Sequence, residues 1–172
     1  MGSEIRQLNA QEARQHLSAL ADVLVDCVEG GASVSFMSPF PKVDAEAFFA
    51  KCVDGVERGE RILLAAFNGS HLVGTVQIII AMPPNQLHRG DVAKLLVHRS
   101  ARGQGIGGLL MKHAEDASRE AGKTLLVLDT VTGDTAERLY TNLGWSKVGV
   151  IPGYALYPDG RLCSTTVFYK QI

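Results

Sequence analysis

Four glycines fall within Gly103-Gln104-Gly105-Ile106-Gly107-Gly108, between an apolar run ending at Val97 and a helical pattern beginning at Ile106. Glycine costs about 1 kcal/mol relative to alanine at a helical position, so gathering it at a helix start signals close approach of the backbone to something. Where a strand hands over to a helix, bare N–H groups and the positive end of the helix dipole converge on one point, and that arrangement binds phosphate or pyrophosphate. The turn therefore imposes a β-turn-helix-β unit on its neighbours. Asp91 to Val97 is the incoming strand, and Ile106, Leu109, Leu110, Ala114, Ala117 and Ala121 share one face of a helix that stops at Gly122. Thr124 to Thr130 is a nearly all-apolar second strand, and two strands joined by such a crossover are expected to be parallel.

Three anion-binding motifs compete for this turn. A Walker A loop needs G-K-[ST] at the helix start, and Gly107-Gly108-Leu109 offers no lysine for terminal phosphates, which excludes it. The dinucleotide fingerprint is matched by Gly103, Gly105 and Gly108, and Asp129 follows at about the 20-residue spacing of a ribose-binding acid. Against it, His98-Arg99-Ser100-Ala101-Arg102 separates strand from turn, and too little chain follows Asp129 to complete a doubly wound sheet. The third reading is R-x-x-G-x-G, met by Arg102, Gly105 and Gly107.

The flanks favour the third over the second. Asn9 with Glu12 reads as a capping box, and Ala13, Leu17, Leu20, Leu24 and Val28 continue one amphipathic helix to Gly30-Gly31. A loop through Ser33, Phe36, Met37, Pro39 and Pro41 leads to a second helix capped by Asp44 and closed by Gly59, so two helices are expected before any strand. Arg61 to Phe67 and His71 to Ala81 are β-rich runs joined at Asn68-Gly69, a strong hairpin signal, and an antiparallel hairpin upstream fits poorly with a Rossmann core. After Asp129, Asp134 with Glu137 opens a short helix through Tyr140 to Gly144, and strands follow near Trp145 to Ile151 and Thr165 to Lys170.

Composition bounds the partner. The 172 residues carry 17 Lys plus Arg against 18 Asp plus Glu, with neither sign in a long block, which excludes a nucleic-acid footprint and a polybasic membrane patch. One domain over residues 1–172 and a small-molecule partner are expected. Cys27, Cys52 and Cys163 form no C-x-x-C pair and the five histidines no H-x-x-x-H pair, so no metal is expected. The beginning of the chain lacks an uninterrupted apolar run, and a cytoplasmic location is expected.

Val97 to Gly107, with R-x-x-G-x-G inside it, resembles the pyrophosphate-binding motif of GCN5-related N-acetyltransferases, and Ala136-x-x-Leu139-Tyr140-x-x-Leu143-Gly144-Trp145 resembles that family's second landmark. With the order of helices and strands, the resemblance spans nearly the whole chain. It implies an α/β (α+β) fold: a mixed, largely antiparallel sheet with one splayed parallel strand pair and helices on both faces. It also implies acetyl-CoA as co-substrate, held by Leu95, Leu96, Val97, Arg102, Gly103, Gln104, Gly105, Ile106, Gly107 and Gly108, with the pantetheine arm lying along Lys94 to Val97. Tyr140 matches the position of the family's general acid, and Asp91 that of its general base or water holder. An Asn common in the family three residues before Ala136 is Gly133 here. A homodimer is implied by the resemblance alone.

Asp129 at the carboxyl end of its strand is a candidate to anchor the acceptor ammonium or relay its proton, since an amine of pKa about 10.4 must lose a proton before it attacks. Acceptor selection is expected from Gly30 to Pro41, Met82 to Gly90 and Pro152 to Arg161, with Ser33, Phe36, Met37 and Tyr154 binding substrate and Tyr157 beside them. Lys94 is unusual in a central strand, and an ion pair is expected for it. Gly30 to Met37, Ile151 to Tyr154 and Pro158 to Arg161 resemble the tabtoxin-resistance acetyltransferases, which implies a small amino-acid-like toxin or antibiotic as acceptor. Two other functions remain open on sequence: a non-catalytic acyl-CoA-binding module, and a nicotinamide-dinucleotide enzyme.

Overall fold

A computed structural model describes residues 2–172. The chain runs β1 (Glu4–Gln7), α1 (Ala10–Gln15), α2 (Leu17–Glu29), α3 (Lys42–Glu57), β2 (Arg61–Asn68), β3 (His71–Ile79), β4 (Arg89–Val97), α4 (Ile106–Glu120), β5 (Leu125–Val131), α5 (Thr135–Asn142), β6 (Ser146–Leu156) and β7 (Leu162–Gln171). The strands form one seven-stranded sheet in the order β1-β2-β3-β4-β5-β7-β6, and β4–β5 is its single parallel pair. Layers of helix cover both faces. The apolar sides of α1, α2 and α3 close over Leu63, Ala65, Phe67 and Leu96, while α4 and Tyr140 of α5 close over Ile62, Val76, Leu126 and Phe168.

Three expectations about the amino-terminal region are corrected. A strand, β1, precedes the helices: Glu4-Ile5-Arg6-Gln7 has no apolar alternation, and it is a strand because its backbone adds to β2 (Ile5 opposite Ala66) and Arg6 lies 4.0 Å over the Phe67 ring. The first helix is two helices. The Asn9–Glu12 capping box starts α1 through two 2.9 Å hydrogen bonds, but at His16 the backbone leaves the helix (φ −99°, ψ 10°) and the imidazole packs edge-on to Phe67 at 5.1 Å. The apolar stripe runs through the break, so periodicity alone does not reveal it. Pro41, not Asp44, takes the N-cap position of α3, and Asp44 lies in its first turn.

The carboxyl-terminal landmark proves to be a structural tie. Trp145 Nε1 donates to Glu115 Oε1 at 3.1 Å, and Lys170 Nζ donates to both Glu115 oxygens at 2.8 Å and to the Leu143 carbonyl at 2.8 Å. The buried carboxylate of α4 is thereby paired and hydrogen-bonded, as a buried charge must be, and it locks α4, the end of α5 and β7 together.

Candidate active site

Strands β4 and β5 pair only at Arg89–Leu125, Gly90–Leu126 and Asp91–Val127. Beyond these they part. The cause lies in β4, where the register against β3 slips by one residue between Thr75–Leu96 and Gln77–Ala93, and Lys94 adopts φ 54°. An extra residue on one strand is a β-bulge, which bends and twists that strand away from its neighbour. A cavity of about 1190 Å³ opens in the divergence, lined by β4 from Val92 to Val97, the glycine turn, the end of β5, the start of α5, the 30–37 loop and the β6–β7 hairpin. The His98 N–H is committed to Val73 of β3 at 2.9 Å, so the alternation of an extended strand turns the N–H and carbonyl of Val97 toward the open side.

The glycine turn forms one wall. Gly103 and Gly105 have φ of 75° and 77°, a left-handed backbone costing other residues roughly 1–2 kcal/mol. Gly105 occupies the N-cap of α4 and supplies no side chain, and the first turn of the helix contains no acid, so its N–H groups keep their capacity for an anion. Gly107 has a different reason: a Cβ there would stand 3.3 Å from Leu139 Cδ2, so its bareness lets α4 pack close to α5. Arg102 donates through Nε to the Val97 carbonyl at 3.0 Å and tethers the turn to the end of β4. Gln104 is the one member of the expected cofactor set outside the cavity lining; its side chain accepts from Asn68 Nδ2 at 3.5 Å.

Asp129 and Tyr140 both line the cavity. Leu126 and Leu128 belong to the core under α4, so by strand alternation Asp129 points to the opposite face, toward α3. Thr165 Oγ1 donates to Asp129 Oδ2 at 2.9 Å, a contact that sequence reading missed because it depends on β7 lying next to β5. Tyr140 comes from the α4 and α5 side, 5% exposed, with its ring 5.8 Å from Phe168 and 6.0 Å from Trp145. Burial, and secondarily the Asp129 carboxylate, push its phenol above the ordinary tyrosine value, so the hydroxyl keeps its proton. Asp91 is not brought to the cavity. It stands where β4 and β5 are still paired, and its carboxylate is closed on Arg89.

On the side of the cavity away from α4, the lining includes Ser33, Phe36, Met37, Tyr154 and Tyr157. Ser33 Oγ donates to the Leu156 carbonyl at 2.6 Å and Ser38 N–H to the Pro158 carbonyl at 3.1 Å, joining the loop before α3 to the β6–β7 hairpin. Phe36 is anchored on Phe40 (4.4 Å) and Phe48 (5.2 Å), whereas Met37 and Tyr154 are 45% and 56% exposed at the rim. The Met82 to Gly90 loop lies at the closed end of β4 and contributes nothing to the lining. Lys94 has no ion pair among the described residues, contrary to expectation. Its ammonium donates to Ser35 Oγ at 2.9 Å and lies 6.0 and 5.9 Å from the centres of the Phe36 and Phe48 rings. Burial lowers its pKa, opposed by the more distant charge of Asp129. Among the described residues, no group of three or more His, Cys, Asp or Glu is placed to hold a metal ion, and no helix is long and apolar enough to cross a membrane.

A splayed parallel pair, a bulge and a bare glycine turn at one helix start together make an open site in a mixed α/β sheet, with backbone donors free for an anionic ligand. The description of the acetyltransferase (GNAT) family matches residues 27–145, more than half of the chain, and the chain belongs to that family. Similar solved structures include an N-acetyltransferase from Staphylococcus aureus Mu50 (16% identity, 99% of each chain covered, TM-score 0.82). The yncA structure from Salmonella typhimurium, with its cofactor acetyl-CoA, has 17% identity over 99% of this chain and 94% of that one, TM-score 0.80. A ribosomal-protein-alanine N-acetyltransferase from Brucella melitensis has 20% identity over 98% and 99%, TM-score 0.81.

Proposed function

We propose that the protein is an N-acetyltransferase that moves an acetyl group from acetyl-CoA to a primary amine of a small molecule. The observation that carries this reading is the gap between β4 and β5, which has the glycine turn at one end, Tyr140 on one side of the sheet and Asp129 on the other. Acetyl-CoA supplies the acetyl thioester. The N–H groups at the start of α4, with Gly103, Gly105, Gly107 and Gly108 bare around them, suit its pyrophosphate. Arg102 fixes the turn to β4 and adds positive charge, and the Val97 N–H is the donor placed to polarise the thioester oxygen.

The acceptor amine enters from the α3 face. Asp129, held in place by Thr165, takes over the ammonium and accepts or relays its proton, leaving the nitrogen lone pair free to attack. Asp91, shut against Arg89 at the closed end, is set aside as the base. Tyr140, still protonated because it is buried, approaches from the other face and delivers its proton to the departing sulfur. Acid and base therefore work from opposite sides of one opening. Of the three segments that resemble tabtoxin-resistance acetyltransferases, Gly30 to Met37 lines the cavity throughout and Ile151 to Tyr154 reaches it at Tyr154, while Pro158 to Arg161 lies outside the lining; the first two support a small amino-acid-like toxin or antibiotic as acceptor.

Release of CoA thiol from acetyl-CoA, followed over a panel of amino acids, polyamines and aminoglycosides, tests the activity. Thermal shift tests the co-substrate separately, because a ligand at 100 times its Kd stabilises the native state by about 2.7 kcal/mol. Acetyl-CoA is expected to raise Tm and NADH to leave it unchanged. The reverse result removes the proposal, and acetyl-CoA binding without thiol release from any acceptor favours the non-catalytic acyl-CoA module.

A further inference from the structure

Lys94 and Ser35 are the only non-glycine residues with positive φ among the described residues, at 54° and 81°. They belong to segments far apart in sequence, the β4 bulge and the loop before α3, and their side chains meet in a 2.9 Å hydrogen bond inside the cavity. Strained backbone persists only where the surroundings enforce it, and it collects at ligand sites. Here the strain places an ammonium group where it is poorly compensated. A lysine has three donors, and a single hydroxyl is bonded to this one; the two aromatic rings lie at the outer limit of a useful cation–π contact. Across the gap, Asp129 has one oxygen engaged by Thr165, and its remaining oxygen has no protein donor. Both side chains face the α3 side of the sheet, from the two strands that diverge, at a separation beyond a direct ion pair.

We infer that Lys94, steadied by Ser35, receives a carboxylate of the acceptor, making it the residue that selects amino acids over simple amines. The inference rests on the acetyltransferase reading and adds the requirement of a second, negative group on the substrate. A zwitterion satisfies both charges at once: its carboxylate takes the free donors of Lys94 and its ammonium meets the open oxygen of Asp129. Neutralisation of Lys94 by substrate would offset the cost of a half-buried ammonium that no protein carboxylate pairs. The apolar neighbours Phe36 and Phe48 raise that cost and sharpen the demand for an anion.

The test uses matched acceptors that differ only in the carboxylate: lysine with cadaverine, ornithine with putrescine, phenylalanine with phenethylamine. The wild-type protein is expected to favour the carboxylate member by about 10- to 100-fold in kcat/KM, the scale of hydrogen bonds to a charged group. Lys94→Met should collapse that ratio mainly through the KM of the carboxylate acceptor, and Lys94→Arg should restore part of it. Lys94→Met should also raise Tm, because it replaces an uncompensated cation beneath two aromatic rings; a fall in Tm would assign Lys94 a structural role and overturn the inference. If wild type uses the amines as well as the amino acids, or if Lys94→Met keeps the preference, the inference fails while the acetyltransferase reading stands. If no acceptor is turned over, thermal stabilisation by each pair in the presence of CoA reads the same discrimination, and equal shifts within pairs overturn it.

Discussion

The two walls of the cavity are built on different principles. The α4 wall is backbone: glycines at Gly103 and Gly105 in left-handed conformation, a helix start with no side-chain cap, and a strand end with its N–H turned outward. The acceptor wall is side chain: Ser33, Ser35 and Phe36 from one loop, Lys94 from the bulge, Asp129 from β5, and Tyr154 from the hairpin. On the proposed reading, the backbone wall recognises what all acyl-CoA users share, so its pattern is local and compact. The side-chain wall would then recognise what distinguishes one acceptor from another, and its members come from four separate parts of the chain. Substitutions at the first wall should therefore act on acetyl-CoA, those at the second on acceptor preference, and those at the seam on turnover alone.

Tyr140 is at the seam, and its removal gives the largest effect. Tyr140→Phe keeps the ring packing on Phe168 and Trp145 and deletes only the hydroxyl, the proposed proton donor. We expect kcat to fall about 100-fold, the lower range for general acid catalysis, with the Kd for acetyl-CoA and the acceptor preference ratio unchanged. Because burial lifts the phenol above its ordinary value, wild-type activity should show no basic-limb loss from Tyr140 below about pH 10. Undiminished turnover in Tyr140→Phe would break the division of labour between the walls at its centre.

Gly105→Val probes the backbone wall. A Cβ at Gly105 would meet nothing within 4 Å, so the cost is conformational: φ of 77° is unfavourable by roughly 1–2 kcal/mol for other residues, and more for a β-branched one. We expect the Kd for acetyl-CoA to rise about tenfold in a calorimetric titration, with the ranking of acceptors preserved. A change of ranking without loss of acetyl-CoA affinity would mean that the two walls are not separable.

Legibility follows the same division. The turn, most of the α4 stripe (Leu109 and Ala121 prove exposed), the hairpin at Gly69 and the order of elements from α3 onward were readable because each is set by residues close in sequence: glycine at positive φ, helical periodicity, a capping side chain. The proposed acetyl-CoA site and Tyr140 rest on motifs of that kind, and the fold brings the glycine turn and Tyr140 to one cavity. Short β1 was not readable, because its strand character comes from pairing with β2 rather than from its own pattern. Nor was the Lys94 environment: the expected ion pair presupposed a neighbouring acid, whereas the bulge turned the side chain toward Ser35 and Phe36, residues brought near only by the tertiary fold. Asp91 and Asp129 were both candidates for proton transfer in sequence, and the point at which β4 and β5 separate leaves only Asp129 in the cavity lining.

The smallest effect concerns the clamp behind the backbone wall. Asp26 of α2 accepts from the Arg99 N–H and Nε, both at 2.8 Å, and stands 3.5 Å from His98 Nε2, so it pins the segment that leads into the glycine turn. Burial by itself would raise the carboxyl, but the hydrogen bonds and charge of Arg99, with His98, outweigh it and hold Asp26 below the ordinary aspartate value. A depressed folded-state value means that this contribution is fully present above the unfolded value of about 3.9 and is lost as the pH falls through the lower, folded one. Asp26→Asn lacks the charge at every pH. We expect it to cost about 1 kcal/mol near neutrality, a Tm decrease of roughly 2–4 °C, with acetyl-CoA affinity affected less than by Gly105→Val. The Tm difference from wild type should stay constant down to about pH 5 and close below pH 4 as wild-type Asp26 takes up its proton. A difference that widens on acidification would show that Asp26 is not the group holding the turn, and the rigidity of the backbone wall would then have to come from Arg102 and its bond to Val97.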